Sequence, residues 1–257
     1  MRKLSEVSLL AGRRELTAIP DRLSSLRARV LQATARRRVA AGDVVLVGAA
    51  KRQPLASLVE AWDAGLEVFG ENRVQEAEAK RPSLPQAEWH LIGPLQSNKA
   101  QRAVSCFDVV HSVDRLKIAR ALDRHAGEAG KELPCFLQVN LAAEASKSGF
   151  SEEEGERAAV EIAGLANLRL VGLMAIPPRG VAPEDSRPWF RRLRALRDRL
   201  GPQLCWEDLG GFLSMGMSDD FEVAIEEGAT HVRIGTALFG PRDSPETANQ
   251  AAGNGAS

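Results

Sequence analysis

A lysine closes an unusually apolar run of this chain: residues 44–50 read VVLVGAA, Lys51 follows, and Pro54 ends the passage. A run of that kind, stopped by a polar residue and a proline, reads as a buried strand of a parallel sheet leading into a turn and a helix. An ammonium at a strand end is either a solvated loop charge or an amine held at the mouth of a pocket, where it could attack a carbonyl carbon. Two stretches near the C-terminal end bear on that choice. LSMGMSDD, residues 213–220, opens a helix with Ser218 placed as its N-cap, and RIGT, residues 233–236, sets Gly235 and Thr236 directly after a strand. Backbone N–H groups and hydroxyls in such loops can cradle a phosphate, provided that Asp219 and Asp220 point away; otherwise Ser218 is only a cap and the acids only favourable first-turn charges.

Arg233 lies between Val232 and Ile234, so strand alternation turns it to the opposite face from both. Facing inward, a guanidinium must find an acceptor, either a carboxylate of a neighbouring strand or a ligand. Lysine, phosphate cradle and arginine together make the parts that pyridoxal phosphate requires: an amine for its aldehyde, amides and hydroxyls for its phosphate, and a partner for its ring nitrogen.

These residues have to be positioned by regular elements. Strand candidates are residues 44–49, 67–70, 88–92, 107–112, 134–140, 168–174, a weak one at 204–209, and 231–235. Between them run amphipathic helices, clearest at Leu55, Leu58, Val59 and Trp62 and at Phe190, Leu193, Leu196 and Leu200. Gly65 and Gly228 stand where C-caps belong, and Asp114 is placed as an N-cap. Eight strand–helix units behind an N-terminal helical stretch around residues 20–40 predict an α/β protein, a (β/α)8 barrel with an N-terminal helical extension. Sites in this architecture gather at the C-terminal strand ends. Lys51, Asn72, Ser214, Ser218, Gly235 and Thr236 are then expected at one mouth.

Composition narrows the classes. Lys plus Arg and Asp plus Glu balance at 34 each, with no long single-sign run, which argues against nucleic acid or an anionic membrane as the main partner. Cys106, Cys135 and Cys205 are far apart and read as small core residues of a reduced, cytoplasmic protein. No stretch has the length and apolarity of a membrane span or a signal peptide. No linker divides the chain, so one domain over residues 1–242 is expected, with a disordered tail at 243–257, and a monomer is the simplest assembly.

Eight ordered motifs carry a resemblance. AAKRQP, FGENRVQE, WHLIGPLQSNK, HSVD, QVN with SKSGF, GLMAIPP, SMGMSDDFE and VRIGTALFGPR closely resemble the pyridoxal phosphate homeostasis protein family, through nearly the whole chain outside the tail. The resemblance implies a single-domain barrel like the N-terminal domain of bacterial alanine racemase. It makes Lys51 the Schiff-base lysine, sets Arg233 opposite the pyridine nitrogen, gives the phosphate to Met217, Ser218, Gly235 and Thr236, and lays Asn72 beside the ring; Ser214 is counted with the cofactor-binding residues. Two positions differ from the family's usual residues: Ala50 stands where serine is often found, and Ala175 where threonine is.

An arginine opposite the pyridine nitrogen disfavours its protonation, since a second positive charge would sit beside the first. The cofactor is then a poor electron sink. Racemases of this fold add a tyrosine base from a second domain, whereas this chain has no tyrosine. The reading is a cytoplasmic carrier that holds pyridoxal 5′-phosphate on Lys51 and buffers or delivers it, with transient contact to cofactor-free recipient enzymes, as part of vitamin B6 and amino-acid homeostasis. The alternatives are a racemase-like enzyme acting on amino acids and a cofactor-free Schiff-base aldolase. His90, between Trp89 and Leu91, reads as a hydrogen-bonded structural histidine, and Lys147, after the fifth strand, reads first as a solvated loop lysine, the alternative being a second amine facing the mouth that accepts the cofactor during handover.

Overall fold

The computed structural model describes residues 18–37, 39–142, 148–178, 180, 182–206 and 210–241. Parallel strands β1 (Val45–Ala49), β2 (Val68–Glu71), β3 (Glu88–Leu91), β4 (Val109–Val113), β5 (Leu133–Val139), β6 (Leu168–Ala175), β7 (Phe212–Met217) and β8 (His231–Ile234) pair in chain order, and β8 returns to β1 to close the barrel. Helices α2 (Leu55–Asp63), α3 (Val74–Lys80), α4 (Ala100–Cys106), α5 (Leu116–Glu128), α6 (Glu152–Ala163), α7 (Arg187–Leu204), α8 (Phe221–Glu226) and α9 (Thr236–Phe239) each follow one strand. The (β/α)8 expectation holds, and α1 (Ile19–Arg36) is the N-terminal extension.

Both faces of each strand are covered, which is why the strands read as nearly continuous apolar runs. In β1, Val45, Val47 and Ala49 gather with Val68 and Ile92 inside the barrel, while Leu46 and Ala50 pack outward under the helices. Helix α7 buries Phe190, Leu193, Leu196 and Leu200, each contributing about 1.5–3 kcal/mol as an upper bound. Helix α1 buries Ile19, Leu23, Leu26 and Ala33 and packs on α8 and α9. Arg29 there forks onto Glu222 at 3.1 and 3.0 Å. No helix among the described residues is long and apolar enough to cross a membrane.

Several expectations need correction. The seventh strand is Phe212–Met217, not 204–209: α7 runs on to Leu204 and ends at Cys205 in the left-handed conformation, φ 51°. Ser214 therefore lies within its strand, and Ser218 follows it. Asp114 does not cap α5; Arg115 is the N-cap and Asp114 is buried against the Arg115 guanidinium at 2.7 Å. Cys205 is exposed, unlike the buried Cys106 and Cys135. In α2 Leu58 and Ala61 are buried, whereas Leu55 and Val59 of the expected apolar stripe are exposed. Gly65 does close α2, with φ 90° and its N–H on the Trp62 carbonyl. The tail at 243–257 and Lys147 lie outside the described residues.

Candidate functional site

The C-terminal ends of the strands form one rim. Continuing the inward series Val45, Val47, Ala49 by two residues reaches Lys51, in the turn after β1 and partly buried. That turn is fixed on several sides. The Ala50 N–H donates to the Gly70 carbonyl at 2.8 Å. The Lys80 ammonium donates to the Ala50 carbonyl at 2.8 Å and to the buried Glu71 carboxylate at 2.6 Å. Burial pushes the Glu71 pKa up, and Lys80 pulls it back. Arg52, next to Lys51, takes φ 57° and donates its N–H to Glu76 at 3.0 Å. A non-glycine residue in that region stores strain of about 1–3 kcal/mol, held here beside the lysine.

Asn72 follows β2. Gly93, after β3, lies so close to it that a Cβ at Gly93 would meet the Asn72 carbonyl oxygen at 2.5 Å and its Cα at 2.6 Å. Ser112 fixes Gly93 from behind, donating to its carbonyl at 2.6 Å. A groove of about 870 Å³, lined in part by Asn72, Gln96, Lys99 and Arg115, opens beside Asn72, so this side of the rim is reachable from solvent.

On the far side of β1 the loops after β7 and β8 meet. The Ser218 hydroxyl does not cap α8; it accepts the N–H groups of Gly235 at 3.2 Å and Ala237 at 3.3 Å. The two amides at the start of α9 thus converge on one oxygen. The N-cap of α8 is Asp220, whose buried carboxylate takes the Met217 N–H at 2.7 Å, while Asp219 is exposed. Burial raises the Asp220 pKa, and the Met217 N–H and the Ser186 hydroxyl counter it.

Arg233 is level with Val47 of β1 and Met217 of β7. It is 5% exposed, inward as its alternation requires. Its acceptors are neutral: Nη1 donates to the Ser214 carbonyl at 2.8 Å and the Ser214 hydroxyl at 2.5 Å, and Nη2 to the Ala175 carbonyl at 2.9 Å. The ion pair with a neighbouring strand, one of the two possibilities for this guanidinium, is not formed among the described residues. Burial pushes the Arg233 pKa down to about 10, with Asp220 opposing, so the group stays cationic at neutral pH. Three of its five N–H bonds are spent on these contacts among the described residues. Ala175 acts here through its carbonyl, so a threonine hydroxyl is not needed for this contact.

The strand ends bring Lys51, Asn72, Met217, Ser218, Arg233, Gly235 and Thr236 to the mouth or just beneath it. Ser214 sits deeper, buried, and touches the site only through Arg233. Sequence reading missed the supports: Lys80 and Glu71 under the Lys51 turn, Gly93 against Asn72, and His111, which meets Ser214 at 2.8 Å. His111 carried a signal, an inward strand position between Val110 and Ser112; the pairing of Lys80 with Ala50 carried none, being set by how α3 packs.

Residues 23–243 match the family model described as alanine racemase, N-terminal domain. The pyridoxal phosphate homeostasis protein of Pseudomonas aeruginosa is 44% identical over 230 residues, which are 89% of this chain and 97% of that one. The chain belongs to the pyridoxal phosphate homeostasis protein family. Among solved structures, PipY of Synechococcus elongatus with PLP bound superposes with a TM-score of 0.76 at 40% identity, covering 86% of this chain and 100% of that one. The alanine racemase of Clostridium difficile shares the fold at a TM-score of 0.66 and 16% identity, with 87% of this chain matched to 61% of the racemase.

Proposed function

We propose that this chain binds pyridoxal 5′-phosphate on Lys51 and serves intracellular vitamin B6 and amino-acid homeostasis as a carrier, without a dedicated turnover reaction. The observation that carries this reading is Arg233: a buried cation held, among the described residues, by neutral acceptors, beneath a mouth that also holds Lys51. A buried guanidinium without a carboxylate suits an electron-rich heteroaromatic nitrogen. The residues present fit the cofactor at its other end too, where the Ser218 hydroxyl meets the Gly235 and Ala237 amides beside Met217 and Thr236, hydroxyl and N–H groups that could donate to a phosphate.

Bound there, pyridoxal 5′-phosphate supplies an aldehyde that an amine can hold reversibly. Lys51 provides that amine at the end of β1. Arg233 would face the ring nitrogen and oppose its protonation, which would limit electron withdrawal by the ring. Met217, Ser218, Gly235 and Thr236 would hold the phosphate, and Asn72 would lie beside the ring. Relatives sharing this barrel are named homeostasis proteins, and the chain has no tyrosine to serve as a racemase-type base; both support the carrier reading over the racemase-like one. The same reading takes the chain as one barrel domain over residues 1–242, cytoplasmic and monomeric.

The visible absorption spectrum of the purified protein, with and without added pyridoxal 5′-phosphate, tests it. A band from lysine-bound cofactor that is absent in Lys51→Ala is expected. A wild type that shows no band after the cofactor is added would refute the reading, and activity on a sugar phosphate without cofactor would favour the aldolase.

A further inference from the structure

Three of the four histidines lie inside the barrel, at inward positions of β3, β4 and β8. Two of them join a continuous line of hydrogen bonds that begins beneath the cofactor mouth and leaves at the opposite end of the barrel. Arg233 Nη1 meets the Ser214 hydroxyl at 2.5 Å. The hydroxyl meets His111 Nδ1 at 2.8 Å, His111 Nε2 meets His90 Nδ1 at 2.9 Å, and His90 Nε2 meets Glu88 Oε1 at 2.8 Å. Glu88 is the first residue of β3, so it stands at the N-terminal end of the barrel, and its side chain is 50% exposed. Lys51 is at the other end.

With both imidazoles neutral, the carboxylate end sets the direction of every bond in the line, because an ionised carboxylate can only accept and a guanidinium can only donate. His90 then carries its hydrogen on Nε2, donates to Glu88 and accepts at Nδ1; His111 carries its hydrogen on Nε2, donates to His90 Nδ1 and accepts at its own Nδ1; and Ser214 gives its hydrogen to His111 while accepting from Arg233. Each of the four bonds has one hydrogen and one acceptor, with both imidazoles neutral. Burial holds His111 well below the ordinary histidine range, and the His90 hydrogen bond holds Glu88 below the ordinary carboxylate range, in agreement with that proton count. His231 stands aside: its Nδ1 pairs with the Thr230 hydroxyl at 3.0 Å, and its ring lies edge-on to His111 at 5.6 Å.

Barrel interiors of this architecture are mostly filled by branched apolar side chains, and a buried polar line is worth keeping only when every member is satisfied. This one is satisfied, and it terminates on the guanidinium of the site. We infer that Glu88 is a positioning residue for Arg233, acting from the far end of the barrel through His90, His111 and Ser214; for the cofactor this rests on the role given to Arg233 above. The carboxylate biases the line so that the Ser214 hydroxyl hydrogen points to His111 and its lone pairs face the guanidinium. With an amide in its place, the line can run in reverse: His111 then donates to Ser214, whose oxygen has to serve two donors, and the Arg233 contact weakens.

The test uses the full chain, wild type and Glu88→Gln, with the imidazole and guanidinium nitrogens observed by NMR before any cofactor is added, followed by titration with pyridoxal 5′-phosphate. In the wild type, both His90 and His111 are expected as neutral Nε2–H tautomers. In Glu88→Gln, the His111 signals are expected to move toward the Nδ1–H form, the Arg233 signals to shift, and the dissociation constant to rise about three- to tenfold, the size of one hydrogen bond. An Nδ1–H His111 in the wild type, or unshifted Arg233 signals in the variant, overturns the inference. So does an unchanged affinity when the wild type does load. A wild type that takes up no cofactor refutes the function proposed above, while the cofactor-free signals still decide whether Glu88 acts on Arg233.

Discussion

Arg233 and Ser214 are joined twice, through the serine hydroxyl at 2.5 Å and its carbonyl at 2.8 Å. Neighbouring strands β7 and β8 thus lock the guanidinium before any ligand arrives, and preorganisation of that kind lowers the ordering cost of binding. Ser214→Ala leaves a buried guanidinium short of one acceptor and His111 short of its donor. The expected loss of stability is about 1–3 kcal/mol, measured by urea unfolding, together with weaker uptake of pyridoxal 5′-phosphate. A variant as stable as the wild type would show that the hydroxyl contact is idle.

Lys80 ties the Lys51 turn to a buried acid, with its side chain 13% exposed and that of Glu71 fully buried. Lys80→Met strips the cation from Glu71 and the donor from the Ala50 carbonyl. Breaking such a pair costs about 3–5 kcal/mol, while Lys80→Met combined with Glu71→Gln should recover part of it because no charge is left buried. Thermal melts of the single and double variants measure this; additive losses would mean that the two residues do not act as a pair.

Acid should weaken the fold through its inner histidines. Burial first, and then His90, push His231 down to about 3 from 6.5, and burial holds His111 well below the same value. Below pH 6.5 the unfolded chain takes up protons that the folded one refuses. The stability from these groups is therefore present above pH 6.5 and is lost as the pH falls toward 3, with a ceiling of about 1.4 kcal/mol per pH unit for each histidine. Urea midpoints recorded downward from about pH 6.5 should fall, and fall less steeply in His231→Gln. An identical slope in the variant would remove His231 from this account.

Gly93 is the point where backbone meets backbone at the site. A methyl group there would press on the Asn72 carbonyl and Cα, and neither can swing away as a side-chain tip could. Gly93→Ala is expected to cost about 1–3 kcal/mol and to displace Asn72, lowering cofactor uptake beyond what Asn72→Ala alone does. Calorimetric melts and cofactor titration check the two effects separately; full tolerance of the methyl group would contradict the close approach.

The barrel was legible because buried parallel strands write themselves as apolar runs, and VVLVGA, EVFG and HVRIG lie within a residue of β1, β2 and β8. The seventh strand is not legible at 204–209, because Leu204, Cys205 and Trp206 make a short apolar run that resembles a strand while α7 extends through Leu204 and the strand begins only at Phe212. Lys51, Asn72, Gly235 and Thr236 could be placed at the rim because strand ends fix them. Ser218 looked like a cap from its position alone, and only the meeting of two loops shows that its oxygen serves Gly235 and Ala237. Histidine positions could be read as inward, but the line from Glu88 to Arg233 needs residues from β3, β4, β7 and β8, and local sequence does not encode which of them touch.

The central claim is that Lys51 holds the cofactor, and chemical trapping tests it most directly. The protein loaded with pyridoxal 5′-phosphate would be reduced with borohydride, digested and mapped by mass spectrometry. The account predicts a stable pyridoxyl phosphate adduct on the peptide carrying Lys51, lost in Lys51→Ala. An adduct found on another lysine in the wild type, or none at all, would contradict it.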